Sequence, residues 1–298
     1  MATIEVEHLS KWYGGTLAVD DISFSVQKGE IVGFLGRNGA GKTTTMRILT
    51  GSLGATEGRA LIGDVDVSKD PQAVKRIVGY LPEFPPLYVD MTVRQYLTFC
   101  ANLKRASNVS TSVERVIQET SLGTVAHRVI DHLSKGYRQR VGLAQALVHE
   151  PKVLILDEPM SGLDPQQRQE ILDFIKGLAQ RGVTVVLSTH VLAEVETVCD
   201  RVVIIEKGKI LAQDSLEKLA DAGRGIVMQV ARMEPELFDR LAQIPGVVGA
   251  FEREDEVVVR ADREVREEVA RVAVDFGLLA MRAEQGLQDV FLRLTRGD

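Results

Sequence analysis

A glycine-rich loop between an apolar run and a helical run most constrains the fold of this chain. The loop reads Gly-Arg-Asn-Gly-Ala-Gly-Lys-Thr over residues 36–43, after the apolar stretch Ile31–Leu35 and before the helical stretch Thr44–Leu49. Glycines let consecutive backbone NH groups face one concavity, and the following helix adds the positive end of its dipole. Strand, loop and helix in this order predict a phosphate-binding loop.

The residues of this loop have predicted tasks. Lys42 can reach the β- and γ-phosphates of a nucleotide, and the Thr43 hydroxyl can bind magnesium. The predicted phosphate-contacting set is Gly36, Arg37, Asn38, Gly39, Ala40, Gly41, Lys42, Thr43 and Thr44. Kinases, GTPases and motors share such loops, so the reaction depends on other residues.

A second apolar run, Val153–Leu156, ends in the two carboxylates Asp157 and Glu158. Ligands of open α/β sheets lie at the carboxyl ends of the strands. We predict that Asp157 holds Mg2+, usually through water, and that Glu158 acts as the general base on the attacking water. The sequence therefore predicts that the chain binds ATP and hydrolyses it.

Other apolar runs extend this architecture. Val183–Ser188 and Val202–Ile205 predict two more strands, and nearly all-apolar strands imply a sheet that is covered on both faces. Asp164 as an N-cap and Pro165 in the first turn predict a helix between two of the strands. Strand, helix and strand in this order predict the parallel α/β core of a P-loop NTPase.

Two further segments flank this core. The first 30 residues and Arg59–Val67 predict an antiparallel β flank, because short alternating strands end there in glycine turns. A mostly helical stretch runs from Met91 to Val148, interrupted only near Gly123 and Gly136. It predicts a helical subdomain at about 84–150.

A separate pattern begins near Gly223. Strands and helices follow in the ferredoxin-like order βαββαβ. The predicted segments are Ile226–Ala231, Pro235–Ile244, Val247–Glu252, Val257–Arg260, Arg263–Phe276 and Leu278–Arg282. We predict two domains, 1–216 and a small accessory α+β domain at 223–298, with a last amphipathic turn between Leu287 and Leu294.

Charge and composition exclude several classes. A net charge of -6 and a pI near 5.5 give no attraction to phosphate backbones, so we expect no nucleic-acid partner. The apolar runs are too short to span a bilayer, and Met1–His8 lacks the pattern of a secretory signal, which predicts a cytoplasmic protein. Cys100 and Cys199 are solitary and predict buried filler rather than a disulfide or a zinc site.

The segment Leu133-Ser-Lys-Gly-Tyr137 precedes the Asp-Glu strand, and Ser134 as an N-cap predicts a second anion-binding helix terminus. Together with the loop, Ser161-Gly-Leu-Asp164 and Ser188-Thr-His190, it resembles the ATP-binding subunits of ABC transporters over about residues 2–215. The C-terminal part resembles the exporter group whose membrane subunits are encoded separately.

The resemblance implies a homodimer in which two such domains face head to tail. Ser134 and Gly136 would then contact the γ-phosphate bound by Lys42 of the other copy. Asp164 would support the Asp-Glu region across the interface. His190 would contact the γ-phosphate and hold Glu158 and water in line.

The resemblance also places adenine on an aromatic ring near the N-terminus. Tyr13 fits this position, and Trp12 remains the alternative because stacking tolerates several geometries. Glu83 stands where the family usually has a magnesium-binding glutamine; a carboxylate can bind magnesium but cannot donate a hydrogen bond. Lys135 and Tyr137 replace a glycine and a glutamine of the common signature.

A proline and aromatic stretch opens the helical subdomain. It comprises Pro82, Pro85, Pro86, Leu87, Tyr88 and Met91. The resemblance implies that it receives a transmembrane permease subunit at the inner face of the cell membrane; a packed loop is the alternative. We therefore predict an exporter ATPase. A soluble relative that remodels nucleic acid or ribosomes is disfavoured by the single phosphate loop and the negative charge, and a kinase by the lack of an acceptor site.

Overall fold

The computed structural model describes residues 2–222, 225–253, 255–284 and 291. The chain divides into two compact units, Met1–Asp214 and Ser215–Asp298. The strands of the first unit are β1 (Ala2–Tyr13), β2 (Thr16–Gln27), β3 (Ile31–Leu35), β4 (Glu57–Ile62), β5 (Val65–Asp66), β6 (Val78–Leu81), β7 (Val153–Asp157), β8 (Thr184–Thr189), β9 (Arg201–Glu206) and β10 (Lys209–Ser215). Its helices are α1 (Lys42–Leu49), α2 (Pro71–Ile77), α3 (Val93–Leu103), α4 (Val109–Glu119), α5 (Lys135–Leu147), α6 (Pro165–Gln180) and α7 (Leu192–Val198).

A six-stranded sheet in the order β10-β9-β3-β8-β7-β6 forms the centre of this unit. The pairs β9-β3, β3-β8, β8-β7 and β7-β6 are parallel. Every residue of β3, β7 and β8 is buried, as expected for parallel strands with both faces covered. The predicted parallel α/β core is confirmed.

A second, antiparallel sheet has the order β2-β1-β4-β5 and confirms the predicted flank. One core joins both sheets to α1. Met46 and Leu49 of α1 are fully buried there, and the rings of Phe24 in β2 and Phe34 in β3 lie 5.4 Å apart. Apolar burial therefore fixes the helix that follows the phosphate loop.

The helical segment contains α3, α4 and α5, with two 3-10 turns at Gly123–Val125 and Ile130–His132. Interruptions are present near Gly123 and Gly136, because these glycines flank the stretch between α4 and α5, and Gly136 itself lies in the first turn of α5. The chain also turns after α3 at Arg105, a break that the sequence does not predict, and it turns after α4 at Ser121; the φ angles are 57° and 56°. Left-handed residues at such positions end helices even when they are not glycine.

The segment Val78–Leu81 forms β6 at the edge of the parallel sheet, a strand that the sequence pattern does not predict. An added Cβ at Gly79 would lie 2.2 Å from the Ala146 carbonyl oxygen of α5. The glycine that weakens the strand pattern therefore permits close contact between α5 and β6.

The second unit begins with α8 (Leu216–Ala222). It continues with β11 (Gly225–Val230), α9 (Pro235–Ala242), β12 (Val247–Arg253), β13 (Glu256–Ala261), α10 (Arg266–Val274) and β14 (Leu278–Glu284). From β11 onward the order is the expected βαββαβ, and the antiparallel sheet runs β12-β13-β11-β14. Leu237, Val257 and Val269 are fully buried in its core. The predicted amphipathic turn at 287–294 lies outside the described residues, apart from residue 291.

Candidate active site

The glycine-rich loop leaves β3 and opens α1, as the sequence predicts. An added Cβ at Gly36 would lie 2.4 Å from the Ile205 carbonyl oxygen, and one at Gly41 would lie 2.7 Å from that of Ala18. Gly41 also has a φ of 110°, which side chains disfavour. Neighbouring backbone therefore excludes larger residues at both ends of the loop.

Lys42 is buried at the start of α1. Its Nζ donates hydrogen bonds to the carbonyl oxygens of Gly36 at 2.7 Å and Arg37 at 3.2 Å. It also lies 3.3 Å from Oε1 of Glu158. The ammonium group is thus held inside the loop by oxygen atoms, the type of partner that a phosphate also offers.

Asp157 ends β7, and its carboxylate is buried. Register places it opposite Ser188 of β8, whose hydroxyl donates to Oδ1 at 2.5 Å. The other oxygen, Oδ2, is buried without a hydrogen-bond partner. An unsatisfied buried carboxylate oxygen is costly, so this atom is suited to a cation or to water bound by one.

Glu158 adopts a φ of 48°, which is uncommon for a residue other than glycine. Its NH donates to the backbone oxygen of Ser188 at 3.1 Å and to the Ser188 hydroxyl at 3.2 Å. His190 Nδ1 lies 2.9 and 3.0 Å from the two carboxylate oxygens of Glu158. Left-handed backbone of this kind concentrates at functional sites.

A cavity of about 390 Å3 is lined by the loop, Lys42, Glu158 and His190, whereas Asp157 is not among its lining residues. Its lining residues are Ala18, Asn38, Gly39, Gly41, Lys42, Thr43, Thr44, Glu83, Glu158, Ser161 and His190. The structure thus brings together residues predicted for phosphate, magnesium and water. Of the predicted loop set, Gly36, Arg37 and Ala40 do not line this cavity.

The predicted signature residues lie apart from this cavity. Ser134 caps α5 by accepting from the Tyr137 NH, and Asp164 caps α6 by accepting from the Gln167 NH. Gly136 and Asp164 line a second cavity of about 430 Å3, which shares no lining residue with the first. Within one copy of the chain, the two sets do not meet.

Sequence reasoning missed the contacts that hold the site. Ser188 supports both Asp157 and Glu158, and the Thr189 hydroxyl donates to Glu194 of α7. Lys135 extends over Gly162, since a Cβ there would lie 2.0 Å from Lys135 Nζ. The register of β7 on β8 is the signal that would have paired Asp157 with Ser188.

The two cysteines behave as predicted among the described residues. Both thiols are free and buried. Burial raises the pKa of Cys100 to about 11 and that of Cys199 further. Neither thiol is therefore reactive near neutral pH.

A phosphate loop, a buried carboxylate and a glutamate paired with histidine, all at the carboxyl ends of parallel strands, define a P-loop NTPase with a hydrolytic site. The ABC transporter family model matches residues 19–161. The uncharacterized ABC transporter ATP-binding protein YxlF of Bacillus subtilis is 42% identical over 219 residues, which cover 72% of each chain. The chain belongs to the ABC transporter ATP-binding family and is an ATPase of that family.

Two further comparisons cover more than nine tenths of the matched protein. The bacitracin transport ATP-binding protein BcrA of Bacillus licheniformis is 32% identical over 310 residues, covering 99% of this chain and 97% of that protein. A solved ATP-binding subunit of an ABC transporter has a TM-score of 0.68 and 31% identity, covering 74% of this chain and 92% of that one. No helix within the described ranges is long and apolar enough to cross a membrane.

Tyr13 and Trp12 are similarly exposed, at 45% and 44%, so exposure does not choose between them for adenine. Lys11 Nζ lies 5.5 Å from the centre of the Tyr13 ring. Neither ring lines the loop cavity.

We predict that Tyr13→Ala weakens ATP binding by roughly 5- to 150-fold, the range for loss of base stacking on an aromatic ring. Trp12→Ala is the matched control and should change the dissociation constant by less than about 2-fold. Titration calorimetry with a non-hydrolysable ATP analogue measures both. A larger loss in Trp12→Ala would assign the adenine to Trp12.

Proposed function

We propose that this chain binds ATP with Mg2+ at the glycine-rich loop and hydrolyses it to drive export through a separate transmembrane permease. The cavity that joins Lys42, Glu158 and His190 is the observation that carries the hydrolytic part. The full-length similarity to a bacitracin transport protein supports the export part. This similarity and the net charge of -6 both argue against the alternative function, the remodelling of nucleic acid or ribosomes.

Lys42 and the loop would hold the phosphates of ATP. The present partners of Lys42 Nζ are two carbonyl oxygens and one carboxylate oxygen, and phosphate oxygens would replace some of them. Backbone NH groups from Gly39 to Thr44, at the start of α1, would donate to the same oxygens. The buried α1 keeps these donors in place.

The residues at the cavity fit a magnesium ion bound to the nucleotide. Thr43 and Glu83 line the cavity, and the unpartnered Oδ2 of Asp157 supplies an oxygen for a bound water. Among the residues described, no cluster of three histidine, cysteine or acidic side chains could hold a metal. Mg2+ takes few protein ligands and several from phosphate and water, so the side chains named here would be enough. When bound, it would neutralise charge that develops on the phosphates.

Glu158 would take a proton from the water that attacks the γ-phosphate, and His190 would hold this carboxylate in line. Phosphate oxygens bound to Lys42 would compete with Glu158, whose Oε1 lies 3.3 Å from Lys42 Nζ. Phosphate binding would therefore free Glu158 for the water. Hydrogen bonds to Ser188 keep its backbone fixed throughout.

Glu158→Gln removes the proton acceptor but preserves the shape of the side chain. We predict that kcat falls about 10²- to 10⁴-fold, the range for loss of general base catalysis. Nucleotide affinity should not fall by more than about 3-fold, because the amide does not remove any phosphate contact; it can rise, because the carboxylate that competes for Lys42 is gone. Phosphate release and ATP binding are measured in parallel, with the exposed Glu196→Gln of α7 as control. Full turnover in Glu158→Gln would exclude Glu158 as the base.

A complete site would need two copies of the chain in a homodimer. The N-terminus of α5, with Ser134 and Gly136, lies outside the loop cavity of its own copy. It would supply anion-binding NH groups to the γ-phosphate bound by the other copy. Asp164 would support the Asp157–Glu158 region across the same interface.

Mixing two inactive variants tests this composite site. Lys42→Ala removes the phosphate-binding cation, and Ser134→Asp repels the γ-phosphate while remaining a good N-cap. Each variant alone should be inactive. An equal mixture should recover up to about a quarter of wild-type ATPase activity, because half of the dimers are mixed and each has one intact site.

The matched control mixes Lys42→Ala with the double variant Lys42→Ala/Ser134→Asp, which leaves no intact pair. This mixture should stay inactive. Absence of recovery in the first mixture, with mixed dimers present by size-exclusion chromatography of tagged chains, would contradict a site shared between copies.

An exposed aromatic surface opens the helical segment and would receive the permease. We define it as Phe84, Tyr88 and Phe99, of which Phe84 is 75% exposed. The Tyr88 ring lies 5.3 Å from that of Phe99 and 6.0 Å from that of Tyr96, so these side chains form one cluster. Exposed aromatic groups of this kind mark protein interfaces. The chain would then lie peripherally on the inner face of the membrane.

Tyr88→Asp places a charge on this surface without changing the loop cavity. We predict that ATP-driven transport by the chain reconstituted with its permease falls by at least about 10-fold, whereas basal ATPase activity of the isolated chain changes less than 2-fold. The exposed Val274→Asp of α10 is the control for an added charge. Unchanged transport would exclude this surface, and loss of both activities would show a folding defect.

A further inference from the structure

The carboxyl group of Glu194 is buried next to Thr189, the last residue of β8, and has no part in the proposed hydrolysis. Glu194 of α7 is 7% exposed, and its Oε2 accepts a hydrogen bond of 2.5 Å from the Thr189 hydroxyl. Burial raises the pKa of this carboxyl group. A buried carboxyl group is costly unless it is hydrogen-bonded, so Glu194 and Thr189 stabilise each other.

Thr189 makes hydrogen bonds to α7, to the residue that follows His190 and to the start of the phosphate loop. Its hydroxyl donates to Glu194 and also accepts from the Val191 NH at 3.0 Å. Its carbonyl oxygen accepts from the Gly36 NH at 3.3 Å, at the start of the phosphate loop. Because Val191 is two residues further on, the hydroxyl closes a tight turn around His190.

His190 lies inside this turn. Half of its side chain is exposed, so packing holds the ring only in part. Its Nδ1 nevertheless lies within 3.0 Å of both carboxylate oxygens of Glu158. The ring thus contacts Glu158 from a backbone turn that the Thr189 hydroxyl closes.

We propose that Thr189 and Glu194 are positioning residues, which hold the turn at His190 so that its ring faces Glu158. The proposal rests on the proposed hydrolytic function. The competing explanation is that the pair only joins α7 to β8 and contributes stability. The two explanations differ in whether the effect of Thr189 passes through His190.

Thr189→Val removes the hydroxyl and keeps the shape of the side chain. We expect kcat for ATP hydrolysis to fall about 10- to 100-fold, the cost of a small misplacement of a reacting group. The dissociation constant of ATP should stay within about 2-fold, since Lys42 and the loop are unchanged. Thr189→Ser keeps the hydroxyl and should retain most of the wild-type kcat.

A double-mutant cycle with His190→Ala decides between the two explanations. If Thr189 acts through His190, Thr189→Val costs nothing further once His190 is absent. A purely structural role would lower kcat by the same factor in both backgrounds. Equal factors, or wild-type kcat in Thr189→Val, would overturn the proposal.

The same cycle is run from the other side of the hydrogen bond, so that a folding failure of Thr189→Val leaves a second test. Glu194→Gln keeps an acceptor for the Thr189 hydroxyl and should retain activity, whereas Glu194→Leu should lose kcat only when His190 is present. Thermal unfolding of each variant reports its stability.

The results with these variants also distinguish a failure of the proposed hydrolytic role of His190 from a failure of the positioning role of Thr189 and Glu194. Hydrolysis that is absent in the wild-type chain, or that His190→Ala leaves unchanged, overturns the proposed role of His190 and this proposal with it. Hydrolysis that falls in His190→Ala but in neither Thr189→Val nor Glu194→Leu overturns the positioning proposal alone.

Discussion

The parallel pairing of β3, β8 and β7 is the constraint on which the site depends. Its register places Leu35, at the end of β3, opposite Thr189, and Asp157, at the end of β7, opposite Ser188. The loop, the carboxylates and His190 therefore all leave one edge of the sheet. A shift of the strand register by one residue would turn each of these strand-end side chains to the other face of the sheet. The close packing that buries these strands completely therefore also keeps the site residues in position.

Support for the loop comes from a different part of the unit. The core that joins the antiparallel flank to the parallel sheet encloses α1, where Met46 and Leu49 are fully buried. Backbone oxygens of Ala18 and Ile205 leave no room for side chains at Gly41 and Gly36. The conformation of the loop is thus held by tertiary packing, while its own sequence contributes the freedom to adopt it.

Features that depend on neighbours in sequence could be predicted, and those that depend on register could not. The loop, the Asp-Glu strand and the N-caps Ser134 and Asp164 follow local rules and were found from the sequence. Strand β6 was missed because Gly79 weakens its pattern, and only the approach of α5 explains that glycine. The contact of Ser188 with Asp157 joins β8 to β7, two segments that the sequence cannot place side by side.

The ion pair between Lys42 and Glu158 has a consequence for anion binding. Inside the loop, the charge of Lys42 is balanced by an internal carboxylate and two carbonyl oxygens. An anion that takes Lys42 as its partner would have to displace these tethered competitors, so a single anion such as inorganic phosphate would be held weakly. A triphosphate offers more oxygen atoms, which can also accept from several loop NH groups at once. The pair would therefore lower the affinity for all anions, and only ligands with several phosphate groups would make enough contacts to offset it.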